Sequence, residues 1–247
     1  MKHLETRRTI RQYTDREVSD ELLHRLFALA ARTQTMGNLQ LYSVVVTRSA
    51  SQKALLAPAH FNQPMVTQAP VVLTVCADFR RTTQWARCRK ADPGYDNLLS
   101  YQNAATDALL FTQTLCCLMD EEGLGYCFLG TTVYQPQQII DILHLPPLTM
   151  PVATLTVGWP AEEPTLSDRL PVESFVHQET YRDYTPADID RYYTQKEQLP
   201  ENRHFCEINH KETLAQVFTD LRYTRADNEA MSETLLETLR RQGFLKP

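Results

Sequence analysis

Apolar side chains at Leu22, Leu23, Leu26, Phe27 and Ala30 fall at three- and four-residue intervals, the spacing that gathers them on one helical face. Ser19, followed by Asp20 and Glu21, supplies an N-cap oxygen and an acidic first turn. The pattern therefore predicts a helix starting there and ending near Thr33 to Gly37. The valine-rich stretch from Leu41 to Arg48 reads as a strand, followed by a short helix over roughly Ser51 to Leu56. Pro70 then opens the apolar run Val71 to Ala77, as expected of a central strand covered on both faces. From about Asp96 to Glu122 the spacing is helical again, interrupted by Asn97, Gln102, Asn103 and Asp107. This predicts a long core helix whose length suits a dimer spine. After Gly123 and Gly125 come a short strand (Tyr126 to Leu129), a helix opened by Pro136 and reaching about Leu143, and a strand from Val152 to Val157.

The pattern changes after Trp159. Pro160, Pro164, Pro171 and Pro186 break a polar, aromatic-spotted segment into pieces too short for an independent core, so an arm wrapping the body is expected. Helical patterns return near Ala187 to Glu197, His210 to Leu221 and Met231 to Gln242, the last closed by Gly243. Helices and strands alternate without regular βαβ spacing. The expected organisation is one domain, with a core over 1–160 and an arm plus C-terminal helices over 161–247, the latter packing on the core and on a partner subunit.

Composition narrows the function classes. Of 247 residues, 43% are apolar, enough to bury a sizeable core. The 25 basic and 30 acidic side chains leave a net charge of −5, which argues against a nucleic-acid groove or a polybasic membrane surface and favours a small-molecule substrate. No apolar run is long enough to span a bilayer and the N-terminus lacks a signal-like apolar stretch, so a soluble, cytoplasmic protein is expected. The six cysteines form no CxxC pair and have no histidine at zinc-ligand spacing. No metal site is expected, and those inside apolar runs read as buried thiols.

The chemistry starts at Arg7-Arg8-Thr9-Ile10-Arg11-Gln12-Tyr13. Three guanidinium forks and a hydroxyl within five residues suit an anion, and phosphate above all. This stretch resembles the Arg-Arg-Ser-Ile-Arg-x-Phe signature that opens proteins of the nitroreductase superfamily, and further resemblances follow in chain order. Thr35-Met36-Gly37-Asn38-Leu39-Gln40 resembles the family loop that reaches a flavin bound by the partner subunit. Gln63, seven residues before Pro70, falls where the family places an amide near the isoalloxazine ring. Phe128-Leu129-Gly130-Thr131, after Gly123-Leu124-Gly125, resembles a Gly-Leu-Gly…Ile-Gly-Gly segment whose backbone lies against the flavin, with Thr131 in place of the second glycine. Gly158-Trp159-Pro160-Ala161 with Arg169-Leu170-Pro171 resembles the larger, NADPH-preferring nitroreductases and flavin reductases of bacteria. There the family lysine two residues before the arginine is Ser167.

The resemblance implies an α+β (α/β sandwich) fold, with a central mixed, mainly antiparallel sheet flanked by helices and a C-terminal helical extension. It implies a homodimer that binds FMN and takes hydride from NADPH or NADH. Arg7, Arg8, Thr9, Arg11 and Arg169 would hold the ribityl phosphate. Gln63, Phe128, Leu129, Gly130 and Thr131 would hold the ring, with Thr35, Met36 and Gly37 arriving from the second subunit. Because the flavin itself accepts and passes on hydride, no catalytic acid, base or nucleophile is expected. Ping-pong reduction of nitroaromatics, quinones or flavins is expected instead. Arg203 is a candidate for the NADPH ribose phosphate, and Tyr42 and His60 for the border of the substrate slot. The alternative is a non-catalytic flavin carrier or sensor that keeps the same clamp. Individually Arg169, Gln63 and Trp159-Pro160 also read as ordinary surface or packing residues.

Overall fold

The structure, a computed structural model, describes residues 2–245. The chain divides into two compact units, one formed by residues 1–165 with 231–247 and the other by residues 166–230.

In chain order the first unit contains α1 (Lys2–Thr6), α2 (Asp20–Ala30), β1 (Tyr42–Thr47), α3 (Ala50–Leu56), α4 (Pro64–Gln68), β2 (Val71–Asp78), α5 (Arg80–Cys88), α6 (Leu98–Glu121), β3 (Gly125–Leu129), α7 (Pro136–Leu143) and β4 (Thr149–Gly158). The strands form one sheet in the order β1-β2-β4-β3, and all three pairings are antiparallel. β2 and β4 occupy the centre and are buried at every position, which is why both read as continuous apolar and threonine runs rather than alternating ones. The β2–β4 register shifts between Val75 and Cys76, with Pro151 opposite Cys76. A proline cannot donate to the ladder, so the irregularity falls where the hydrogen-bond pattern is already broken.

α6 covers one face of the sheet, where Phe111, Leu115 and Met119 pack among the apolar residues of β2 and β4, and α2 packs against α6. A smaller cluster holds Leu56, Ala59, Val66, Cys127, Leu129 and Ile139. Ser19 caps α2 by accepting from Leu22 N, and α2 stops at Ala30, short of Thr33. The sequence pattern missed α5, because its buried positions are Thr82, Thr83 and Ala86 and carry no apolar stripe. Toward the C-terminus, Gly243 adopts φ +81°, the left-handed conformation that ends a helix at low cost for glycine, and Phe244 is buried against Tyr101.

The second unit contains α8 (Pro186–Glu197), α9 (Pro200–Ile208) and α10 (Leu214–Val217); α11 (Arg225–Arg241) belongs to the first unit from Met231 onward. Asp188 organises the start of α8: Thr185 and Asp188 form a reciprocal capping box, and Arg182 and Arg191 donate to the same carboxylate. The expected helix over His210 to Leu221 begins later, because Thr213 and Gln216 form a second capping box. It widens into a π-helical turn over Phe218–Arg222.

Candidate functional site

The arginine segment lies beside β3, the edge strand next to β4. Ile10 N donates to Tyr126 O at 3.0 Å, Thr14 N to Trp159 O at 2.9 Å, and Ala161 N to Gln12 O at 3.0 Å. The carboxylate of Glu162 accepts from Arg11 N at 2.6 Å and from Gln12 N at 3.0 Å. Gly125 is what lets the segment come this close, since a Cβ there would sit 2.7 Å from Ile10. Tyr13 fixes the far end with its hydroxyl 2.7 Å from Ile10 O and from Thr156 Oγ1, and burial raises its pKa above the ordinary phenol value. The three arginines are not equivalent. Arg8 donates to Thr6 O at 3.1 Å and lies 3.5 Å from the Glu163 carboxylate, and its Nε is buried without a partner. Among the described residues no ion pair engages Arg7 or Arg11. The Arg11 side chain reaches the Cys127 thiol of β3.

A cavity of about 310 Å³ borders Arg7, Arg8, Gly125, Asp120, Glu162 and Glu163. Arg7 and Arg8 share this cavity with three carboxylates, which offset part of the attraction the two guanidinium groups exert on an anion. Arg11 does not border that cavity and is the cation best placed to meet a phosphate.

Phe128 is 46% exposed, whereas the other β3 residues are buried. β3 runs directly into a 3-10 turn over Gly130–Val133, closed by Thr132 Oγ1 donating to Leu129 O at 2.8 Å. Gly130 is exposed, and a Cβ built on it meets nothing within 4 Å. Thr131 Oγ1 lies 2.9 Å from Nδ1 of His60, a fully buried residue at the end of the 3-10 turn Ala57–His60. Burial pushes the His60 imidazole down to about pKa 4, because charging it would cost desolvation. Gln63 stands just before α4, with its backbone N donating to His60 O at 3.2 Å and its side chain taking no part in capping the helix. The structure thus places Arg7 to Arg11 beside β3 and Phe128 to Thr131 at its end, and joins that end to the segment carrying Gln63 through His60. Sequence reading gave His60 only as a bordering residue; its bond to Thr131 has no local sequence signal.

Thr35–Gly37 belongs to a 3-10 turn over Met36–Asn38 held to α6, where buried Asp107 accepts from Met36 N at 2.9 Å and Leu41 N at 3.2 Å. Gly37 adopts φ +56° and Met36 is half exposed. No hydrogen bond joins this turn to the arginine segment or to Phe128–Thr131 among the described residues. Arg169 is an exposed residue of the second unit whose guanidinium donates to the Asp168 carbonyl at 2.7 Å, and Lys196 pairs with the Asp168 carboxylate. Arg203 lies on α9, beside a cavity it shares with Lys211. Tyr42 is a correction: its ring stacks on Phe111 at 4.4 Å inside the core, so it does not border a slot.

The residues around β3 suit a flavin phosphate ester. Arg7 and Arg11, which no ion pair engages among the described residues, and the Thr9 hydroxyl are donors of the kind that match phosphate oxygens, and the buried Arg8 Nε is an unused donor. Open space over Gly130 beside exposed Phe128 offers a surface for a flat ring. Among the described residues no cluster could hold a metal ion, and no helix is long and apolar enough to cross a membrane.

A family model described as Nitroreductase family matches residues 4–159. A solved structure from Bacteroides fragilis NCTC 9343 is 58% identical, covers all of both chains and superposes with a TM-score of 0.99. The NAD(P)H FMN reductase of Bacillus subtilis is 29% identical over 99% of this chain and 97% of its own length. The oxygen-insensitive NADPH nitroreductase of Salmonella typhimurium is 30% identical over 78% of each chain. With its core matched from α1 to Trp159, the chain belongs to the nitroreductase family.

Proposed function

We propose that this protein is an NAD(P)H-dependent FMN oxidoreductase that passes electrons to small electrophiles such as nitroaromatics, quinones or free flavins. The observation that carries the reading is that Arg11, engaged by no ion pair among the described residues, lies beside edge strand β3, whose exposed Phe128 leads into open Gly130. The similarity to FMN and NADPH reductases supports it. Bound FMN would supply the hydride chemistry. The chain's part is to bind and orient. Arg7, Thr9 and Arg11 hold the phosphate, with Arg8 balanced by Glu163. Gly130 and Leu129 admit the ring against the backbone, Thr131 and Gln63 border it, and Phe128 supplies an apolar wall. Backbone N–H groups that face the bound ring would stabilise added negative charge on it. No side chain is assigned an acid–base step. One slot serving donor and acceptor in turn makes the reaction ping-pong.

A homodimer completes this reading. Leu98, Leu99, Leu109 and Leu110 of α6 are exposed at 11-residue spacings, so they form one apolar stripe, and Trp85 of α5 is also exposed. Monomeric proteins rarely leave such a surface uncovered. A second copy covering it would bring its own Thr35, Met36 and Gly37 to the site. All six cysteines are unpaired, in keeping with a reducing compartment and hence the cytoplasm.

The test is anaerobic: saturate the protein with FMN, add NADPH or NADH, and follow the visible flavin band in a stopped-flow instrument. Rapid bleaching supports the oxidoreductase, and the faster nicotinamide identifies the donor. Tight FMN binding without bleaching replaces it with a flavin carrier or sensor; absence of FMN binding overturns both.

A further inference from the structure

We infer that His60 is a positioning residue for the flavin site, acting through its hydrogen bond to the Thr131 hydroxyl to lock the Gly130–Val133 turn against the segment that carries Gln63. The inference rests on the FMN reading above. Three observations converge on it.

The first is where the Thr131 side chain goes. This position carries a hydroxyl and a β-branched carbon immediately after a residue with open space over it. A threonine turned toward that space would obstruct a ring approaching Gly130. Its Oγ1 instead faces the imidazole of His60 at 2.9 Å, and Thr131 is only partly exposed while Gly130 is exposed. The bond therefore selects a rotamer that keeps the approach clear.

The second is the way two turns are fastened together. His60 ends the Ala57–His60 turn, and its carbonyl accepts the backbone N–H of Gln63. Phe61 and Asn62 follow with φ of +54° each, in the left-handed region that is costly for residues other than glycine. The Phe61 ring meets that of Tyr134, which follows the other turn, at 6.3 Å between centroids. One histidine thus links the two segments assigned to the ring, and the Phe61–Tyr134 ring contact joins them a second time.

The third is the chemical state of the imidazole. His60 is fully buried, its Nε2 has no partner, and burial favours the neutral form. A neutral imidazole presents one donor and one acceptor nitrogen, so the bond to Thr131 persists at neutral pH without a charge next to the ring. A protonated imidazole there would shift the flavin potential; a neutral one fixes geometry alone.

The experiment compares Thr131→Val, Thr131→Ser, His60→Phe and the Thr131→Val/His60→Phe double variant. FMN dissociation constants and flavin midpoint potentials are measured by titration and dye equilibration. Thr131→Val keeps the shape and removes the hydroxyl, so it carries the test even if His60→Phe does not fold. Each single variant that breaks the bond is expected to weaken FMN binding about three- to tenfold, the scale of one hydrogen bond, and to lower the midpoint potential as ring contacts loosen. Thr131→Ser should remain close to the parent protein, and the double variant should be no worse than the poorer single one. Unchanged affinity and potential in Thr131→Val, or additive effects in the double variant, overturn the inference while leaving the flavin enzyme intact. A parent protein that binds no FMN overturns the reading beneath it as well.

Discussion

Glu162 accepts the backbone N–H of Arg11 at 2.6 Å across 151 positions of sequence. The same oxygen takes the N–H of Gln12, so one carboxylate beyond β4 sets the path of the arginine segment. Glu162→Ala removes the acceptor from two partly solvated donors. We expect a stability loss of about 1 kcal/mol, measured by urea denaturation, and a several-fold weaker FMN affinity. Glu162→Gln, which retains an acceptor oxygen, should recover most of both.

Arg11 and Arg8 should differ. Among the described residues Arg11 has no ion-pair partner, whereas Arg8 faces Glu163 at 3.5 Å. Arg11→Ala is expected to weaken FMN binding by about 1.5–3 kcal/mol, the scale of a hydrogen bond to a charged group. Arg8→Ala should cost less affinity, because its charge is already balanced. Fluorescence titration with FMN ranks the two, and equal losses would restore equal roles.

Gly125 leaves no room for a side chain, with Ile10 atoms 2.7 Å from its would-be Cβ. Gly125→Ala must push the arginine segment off β3 or strain the strand. An overpacking cost of about 1–3 kcal/mol is expected, accompanied by weaker FMN binding, whereas Gly94→Ala, in open space, should leave both unchanged. Thermal melts with and without FMN distinguish the two effects.

His60 also makes stability depend on pH. Its folded pKa is lowered from 6.5 to about 4, so below pH 6.5 the unfolded chain takes up a proton that the folded chain refuses. Stability is therefore full above that pH and falls as the pH drops toward 4, by up to about 3 kcal/mol from this residue. His60→Phe should flatten that part of the profile relative to the parent in urea midpoints between pH 7 and 4. Parallel profiles would show that the histidine is not buried as a neutral group.

Leu110 is 44% exposed on the α6 stripe. Leu110→Glu places a charge where a second copy would pack and should yield a monomer by analytical ultracentrifugation. If the site needs both copies, that monomer should also lose FMN. A monomer retaining one FMN per chain would show instead that each chain holds the flavin alone.

The sequence by itself determined the elements whose signals are local. The apolar spacing of α2 and α6, the covered run of β2, the proline opening α7 and the glycine ending α11 all express preferences set within a few residues, and the structure places them within a few positions of expectation. The arginine cluster was legible as an anion-binding candidate, because guanidinium density is a property of the residues themselves, whereas Gly130 stood out only through the family resemblance. Tertiary structure decided the rest. That Glu163 balances Arg8 while Arg11 stays free, that Tyr42 stacks on Phe111, and that Asp107 anchors the Met36 turn all depend on chain segments many positions apart. So does the bond between His60 and Thr131, which joins two turns 71 positions apart. Such pairings are chosen by the burial of the whole core, which leaves each polar group only the partners that folding happens to bring beside it, and no window of sequence contains that choice.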